Sequence, residues 1–144
     1  MLSIHRLVFR MVPLVFIALL CGCGADDRRA SIYGTITVDG EPLQTGTIGF
    51  IPSGENKGPA SGASIVAGSY KIPQEKGPFL GTNLVMITSY KSSGRMVPNI
   101  ENRGGPPIAE IAQFIPERYN DASELERNVV PGKNEFNFEL ETGG

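Results

Sequence analysis

Ser31-Ile32-Tyr33-Gly34-Thr35-Ile36-Thr37-Val38-Asp39-Gly40 is the stretch that decides the fold class. Ile32, Gly34, Ile36 and Val38 fall on one side of an extended chain, and Tyr33, Thr35 and Thr37 on the other. A period of two carried by β-branched residues marks a strand with one buried face. Asp39-Gly40 then turns the chain, because glycine accepts positive φ at no steric cost. Glu41-Pro42-Leu43 leads into a second strand over 46–52, with Ile48 and Phe50 on one face. Working outward, strands are expected over 60–66, 69–72 and 84–90, with Val85 and Ile87 inward. Two more are expected over 124–130 and 134–140, where Phe136, Phe138 and Leu140 alternate with Glu135, Asn137 and Glu139. The polar stretches 52–59 and 73–78 read as surface loops. Residues 91–107, rich in Ser, Gly, Asn and Pro, read as a long loop of the kind that is mobile or functional. Residues 108–115 could make one helical turn or a short extended piece. Six or seven short strands between Gly/Pro turns predict an all-β domain of sandwich type.

Composition agrees. Gly and Pro together make 29 of 144 residues, which favours turns and short strands over long helices. After the leader, 11 basic face 15 acidic residues, a net charge of −4, and no basic run follows Arg28-Arg29. Nucleic-acid binding needs clustered cations to displace counterions, so it is excluded, as is a polybasic membrane contact.

The first 22 residues have the order of an export signal. His5, Arg6 and Arg10 precede the apolar run Met11 to Leu20, about half the length a bilayer-spanning helix needs. Leu20-Cys21-Gly22-Cys23-Gly24 follows and looks like a bacterial lipobox, with small Gly22 just before Cys23. Cys21 fits less well, because Leu20 precedes it. The expectation is a signal peptide over 1–22, a lipidated Cys23, a tether over 23–30 and a domain over 31–141. A lipid on Cys23 makes the membrane a partner and places the domain in the cell envelope, at the periplasmic face or the cell surface. A zinc site built on the two cysteines would lack its other ligands.

Residues 34–52, Gly34-Thr35-Ile36-Thr37-Val38-Asp39-Gly40-Glu41-Pro42-Leu43 through Phe50-Ile51-Pro52, resemble the opening of carboxypeptidase regulatory-like, or transthyretin-like, domains. Gly68-Ser69-Tyr70-Lys71-Ile72 resembles a later strand of that family, with Ala67 standing where the family often has Asp. Ile115-Pro116-Glu117-Arg118-Tyr119-Asn120 and the run from Pro131 to Phe138 are similar to the closing segments of small lipoproteins of this type in planctomycete-like bacteria. The resemblance implies a seven-stranded prealbumin-like sandwich. It does not imply an activity. Transthyretin-like enzymes that hydrolyse 5-hydroxyisourate use histidines and a C-terminal Tyr-Arg-Gly-Ser; this chain ends Glu141-Thr142-Gly143-Gly144, and its only histidine is His5.

No catalytic residues, cofactor or metal ligands are therefore assigned. Without a histidine after the leader there is no Ser-His or Cys-His dyad, and no Ser stands three residues before any Lys. Glu124 with Glu126, and Glu139 with Glu141, read as solvated strand faces rather than an acid/base pair. Asp39 shapes its turn. Asn134 and Asn137 on the last strand lack a lysine on the first for an isopeptide bond. Tyr33, Tyr70, Tyr90 and Tyr119 stand on separate segments and read as core or its flanks. The expected function is a non-enzymatic binding or structural accessory module, making contact through loops 52–59 and 91–107 with an envelope protein or polysaccharide. The alternatives are a carbohydrate-binding module and an unrecognised hydrolase.

Overall fold

A computed structural model describes residues 28–143; the leader and Cys23 lie outside them. The described residues form eleven strands: β1 (Ser31–Val38), β2 (Glu41–Pro42), β3 (Thr45–Pro52), β4 (Ser61–Val66), β5 (Ser69–Ile72), β6 (Gly81–Thr88), β7 (Tyr90–Val97), β8 (Ile108–Gln113), β9 (Glu126–Val129), β10 (Lys133–Glu135) and β11 (Phe138–Leu140). Among the described residues the only helical pieces are two single 3-10 turns, Gln74–Lys76 and Glu117–Tyr119. The all-β expectation holds.

The main sheet runs β10-β1-β5-β4-β3-β6-β9, with β2 and β11 also on β1. In a flat sheet β10 and β9, six spacings apart, would lie about 29 Å from each other. Yet β9 ends at Val129 and β10 begins at Lys133, four steps that reach at most about 15 Å. The sheet must curl until its two edges meet. The seam is closed by Arg127 of β9, whose guanidinium lies 4.7 Å from the Phe138 ring centre and 5.9 Å from that of Phe136. Inside the curl, Ile32, Ile36, Ile48, Phe50, Ile65, Ile72, Val85, Ile87 and Val129 are buried, so the inward faces read from the alternation are the observed ones. Phe50 packs against both Tyr70 and Phe136, ring centres 6.4 and 6.2 Å away.

Several expectations are corrected. The last strand, expected unbroken over 134–140, is two: β10 and β11 run parallel to β1, with Ser31 opposite Lys133 and Ile36 opposite Phe138, and the ladder lapses at Phe136 and Asn137. There the Asn137 amide oxygen takes the Thr35 N–H (2.8 Å) and hydroxyl (2.9 Å), replacing a backbone acceptor. The strand expected over 84–90 is β6, shifted to Gly81–Thr88 and ended by a buried Ser89. Residues 91–107 are not one loop: 90–97 and 108–113 pair as an antiparallel hairpin, and only 98–107 connect them. Residues 108–115 resolve to the extended option, as β8. Arg28–Ala30, counted with the tether, lie against the domain: the Ala30 N–H donates to the Pro78 carbonyl, and Arg28 and Arg29 both stack on Phe79.

The register gives the curled sheet two distinct ends. The N-terminal end holds Arg28, the start of β1, the loop after β3 and the turn between β9 and β10. The other end holds Asp39-Gly40, Ala67-Gly68, Ser89 and the C-terminal tail. Hairpin β7–β8 leaves from the second, about one strand length, roughly 26 Å, from Arg28.

Candidate functional site: hairpin β7–β8 and the cleft at its base

Neither strand of the hairpin pairs with the main sheet, so what holds it is local. Ser89 is the gate. Its N–H donates to the Gln113 side-chain oxygen (2.8 Å), its carbonyl accepts the Phe114 N–H (3.1 Å), and its hydroxyl donates to the Thr45 carbonyl. The same Gln113 oxygen accepts the Ile115 N–H at 3.3 Å. One amide side chain thus clamps both strands as they leave the sheet.

Farther out the register slips. Ser92 pairs with Ile111 and Met96 with Ala109, leaving three residues, Ser93 to Arg95, opposite Glu110. Gly94 has φ +80 there, a left-handed conformation that glycine adopts freely. The Glu110 carboxylate accepts the Ser93 hydroxyl (2.7 Å) and lies 3.7 Å from Arg95 Nε, so the one acid of β8 is drawn toward β7. At the tip the Asn99 side chain accepts the N–H groups of Glu101 and Asn102.

Paired residues share a face of a sheet, so Tyr90, Met96, Ala109 and Ile111 lie on one side of the hairpin. Tyr90 is 60% exposed, Met96 63% and Ile111 60%. Large apolar side chains scattered singly need no explanation, but a contiguous stripe on a projecting element marks a contact surface.

At the base lies a cleft of about 500 Å³, walled by Val38, Asp39, Leu43, Tyr90, Lys91, Phe114 and Thr142 among others. The Lys91 ammonium sits 3.6 Å from the centre of the Phe114 ring. The Asp39 carboxylate accepts the hydroxyl and N–H of Thr142, and these bonds hold its pKa below the usual carboxylate range. A carboxylate kept ionised in this way does not serve as a proton donor at neutral pH. With a lysine, an aromatic ring and apolar walls, the cleft is suited to hold a side chain or a segment of chain. Among the described residues no three His, Cys, Asp or Glu side chains come together as a metal site.

Of the residues singled out in the sequence, Tyr33, Tyr70 and Asn137 share one groove, Asp39, Glu139 and Glu141 line another, and Asp39 and Tyr90 meet at the basal cleft. Tyr70 is buried, which raises its pKa, and its hydroxyl donates to the Phe136 carbonyl (2.8 Å). Tyr33 reaches Glu135 on the outer face of β1, Tyr90 stands at the hairpin base, and Tyr119 lies under Arg118 near the C-terminal tail. Glu126 accepts the Ser53 hydroxyl, and Glu139 and Glu141 line a shallow groove at the C-terminal edge. Asn134 is buried and stitches the turn after β9, accepting the Val130 N–H and donating to the Val130 carbonyl. Cys23 lies outside the described residues. The hairpin itself was hidden in the sequence. Its only signal is the pair of apolar runs, Met96-Val97 and Ile108 to Ala112, flanking a Pro/Asn/Gly-rich stretch.

No protein-family model, curated protein or solved structure matches the chain.

Proposed function

We propose that this chain is an exported lipoprotein, anchored through a lipid on Cys23, whose transthyretin-like β-sandwich is a non-catalytic accessory module of the cell envelope. The observation that carries this reading is the position of the hairpin: its exposed stripe of Tyr90, Met96 and Ile111 stands at the end of the sheet opposite Arg28. An anchor five residues before Arg28 then holds one end of the domain at the leaflet and directs the hairpin away from it. The seven-strand path of the main sheet supports the prealbumin-like assignment, and the lipobox around Cys23 supports the anchor. The partner is an envelope protein that seats on the stripe and the basal cleft.

The test is photo-cross-linking in intact cells from positions 96 and 111, with position 66 as an exposed control on the main sheet. One dominant adduct to another protein, distinct in mass from a dimer of this chain, from both hairpin positions and weakened by Cys23→Ser, is the expected result. Adducts from position 66 alone would defeat the assignment of the hairpin. Retention of Cys23→Ser protein in washed membranes would defeat the anchor.

A further inference from the structure

The two outer edges of the hairpin are unlike. β7 is guarded: it carries Lys91 and Arg95, and the bulge at Gly94 breaks its line, with the Gly94 and Arg95 N–H groups turned onto the Ser92 and Ser93 hydroxyls. Charges and bulges of this kind are what keep edge strands from pairing. β8 has no such guard. Ile108-Ala109-Glu110-Ile111-Ala112-Gln113 is regular and largely apolar, and Glu110 is tied back toward β7.

The bond from Phe114 N–H to the Ser89 carbonyl fixes which groups of β8 face outward. Antiparallel pairs alternate between hydrogen-bonded and non-bonded, so Ala112 and Glu110 turn their backbone groups toward β7, and Ala109, Ile111 and Gln113 turn theirs to the open edge. A second copy of β8 laid antiparallel must match these outward residues and keep equivalent faces together. Two central registers do so. One sets Glu110 directly opposite its own copy and calls on the N–H that Pro107 lacks. The other sets Ile111 opposite Ile111 and Ala109 opposite Gln113, with Glu110 opposite Ala112. Only the second leaves no like charges opposed and no donor missing.

We propose that β8 is a self-association edge: two copies of this chain pair β8 to β8 about a two-fold axis at Ile111, making a four-stranded sheet β7-β8-β8-β7. The hydrogen bonds come from Ala109, Ile111 and Gln113 of each copy. The apolar stripes of the two hairpins join on one face, so the surface offered to a partner doubles. The proposal rests on the reading of the hairpin as the contact element, and not on the lipid anchor.

Thiol cross-linking tests it on the full chain in detergent, with Cys21→Ser and Cys23→Ser removing the native thiols. Opposed Cα atoms of a hydrogen-bonded pair lie about 5.5 Å apart, and their Cβ atoms stand beyond the span of a direct disulfide but within that of a short bismaleimide. Ile111→Cys is therefore expected to cross-link into a dimer with that reagent, and Ser92→Cys, on the guarded strand, is not. Sedimentation of the cysteine-free chain is expected to show a dimer that dissociates on dilution, and Ile111→Lys, at an exposed position, is expected to give monomer whose thermal unfolding matches that of wild type at concentrations where wild type has dissociated. Cross-linking through Glu110→Cys in preference to Ile111→Cys overturns the register. A chain that stays monomeric up to about 1 mM overturns the pairing. Failure of membrane retention in cells, with dimerisation intact, would fall on the anchor alone.

Discussion

Gly34 and Phe136 meet backbone to backbone: a Cβ on residue 34 would stand 1.9 Å from the Phe136 carbonyl oxygen. That oxygen already accepts the Tyr70 hydroxyl, and the Phe136 N–H donates to the Tyr33 carbonyl. The contact lies where the ladder between β1 and the last strands lapses, so Gly34 is required by close approach and not by its φ. Gly34→Ala must push the last strand off β1. A loss of about 2–3 kcal/mol in urea unfolding is expected, as for other overpacked sites. A change under about 0.5 kcal/mol would mean that the last strand does not lie where it is described.

Ala67 presents the opposite case, a side chain in a place meant for something else. It sits at φ 49, followed by Gly68 at φ 76, in the tight turn between β4 and β5. Alanine gains nothing in the left-handed region, whereas asparagine tolerates it and can bond locally. Ala67→Asn is expected to stabilise the domain by about 0.5–1 kcal/mol, a rise in Tm of about 2–5 °C. Gly68→Ala is expected to destabilise it, because its Cβ would stand 2.7 Å from the Pro42 side chain. Equal Tm values for Ala67→Asn and wild type would argue against a left-handed residue at 67.

Much of this was legible in the residues. Ile32, Ile36 and Val38, Ile48 and Phe50, and Val85 and Ile87 announce their strands because each has one face buried, and burial writes the period of two. β7 was unreadable for the same reason: from Tyr90 to Met96 every residue is exposed, so nothing selects an alternation. The pairing of β10 and β11 with β1 joins residues about a hundred positions apart, and no local pattern encodes it. The cleft draws on the Asp39 turn, the start of β7, Phe114 and Thr142, segments that adjoin only because the sheet curls. Cys23 was legible as a motif, in the part of the chain outside the described residues.

Asp39 gives the tail a pH dependence. Its carboxylate is held by Thr142, first through the hydroxyl and then through the backbone N–H, and both lower its pKa. A depressed carboxylate contributes stability that is present above its unfolded pKa and lost as pH falls through the lower folded one. Loosening of Thr142 is therefore expected as pH falls below the midpoint of a free aspartate, while Glu141 and Gly143 stay held by Arg118. Carboxyl NMR titration of Asp39 should show a midpoint below about 3.9 that moves back toward it in Thr142→Ala. A midpoint unchanged by that substitution would remove Thr142 as the cause.

Gln113 sets how firmly the hairpin is aimed. Isolated two-stranded hairpins are marginal in water, and this one is steadied at its root by the Gln113 oxygen shared between Ser89 and Ile115 N–H groups. Gln113→Ala leaves two buried donors without that acceptor while touching none of the core side chains. The loss is expected to be local, about 1–2 kcal/mol in the opening free energy of the hairpin. Amide exchange over 90–113 should accelerate about 5–30-fold, with rates in β3 and β6 unchanged. If β3 and β6 accelerate equally, the hairpin opens only with the whole domain. Its exposed stripe would then be a fixed part of the sandwich, not a separately hinged arm. Capture of a partner by Gln113→Ala separates the two cases again: a hinged arm binds more weakly, because it must first be ordered, and a fixed one binds as before.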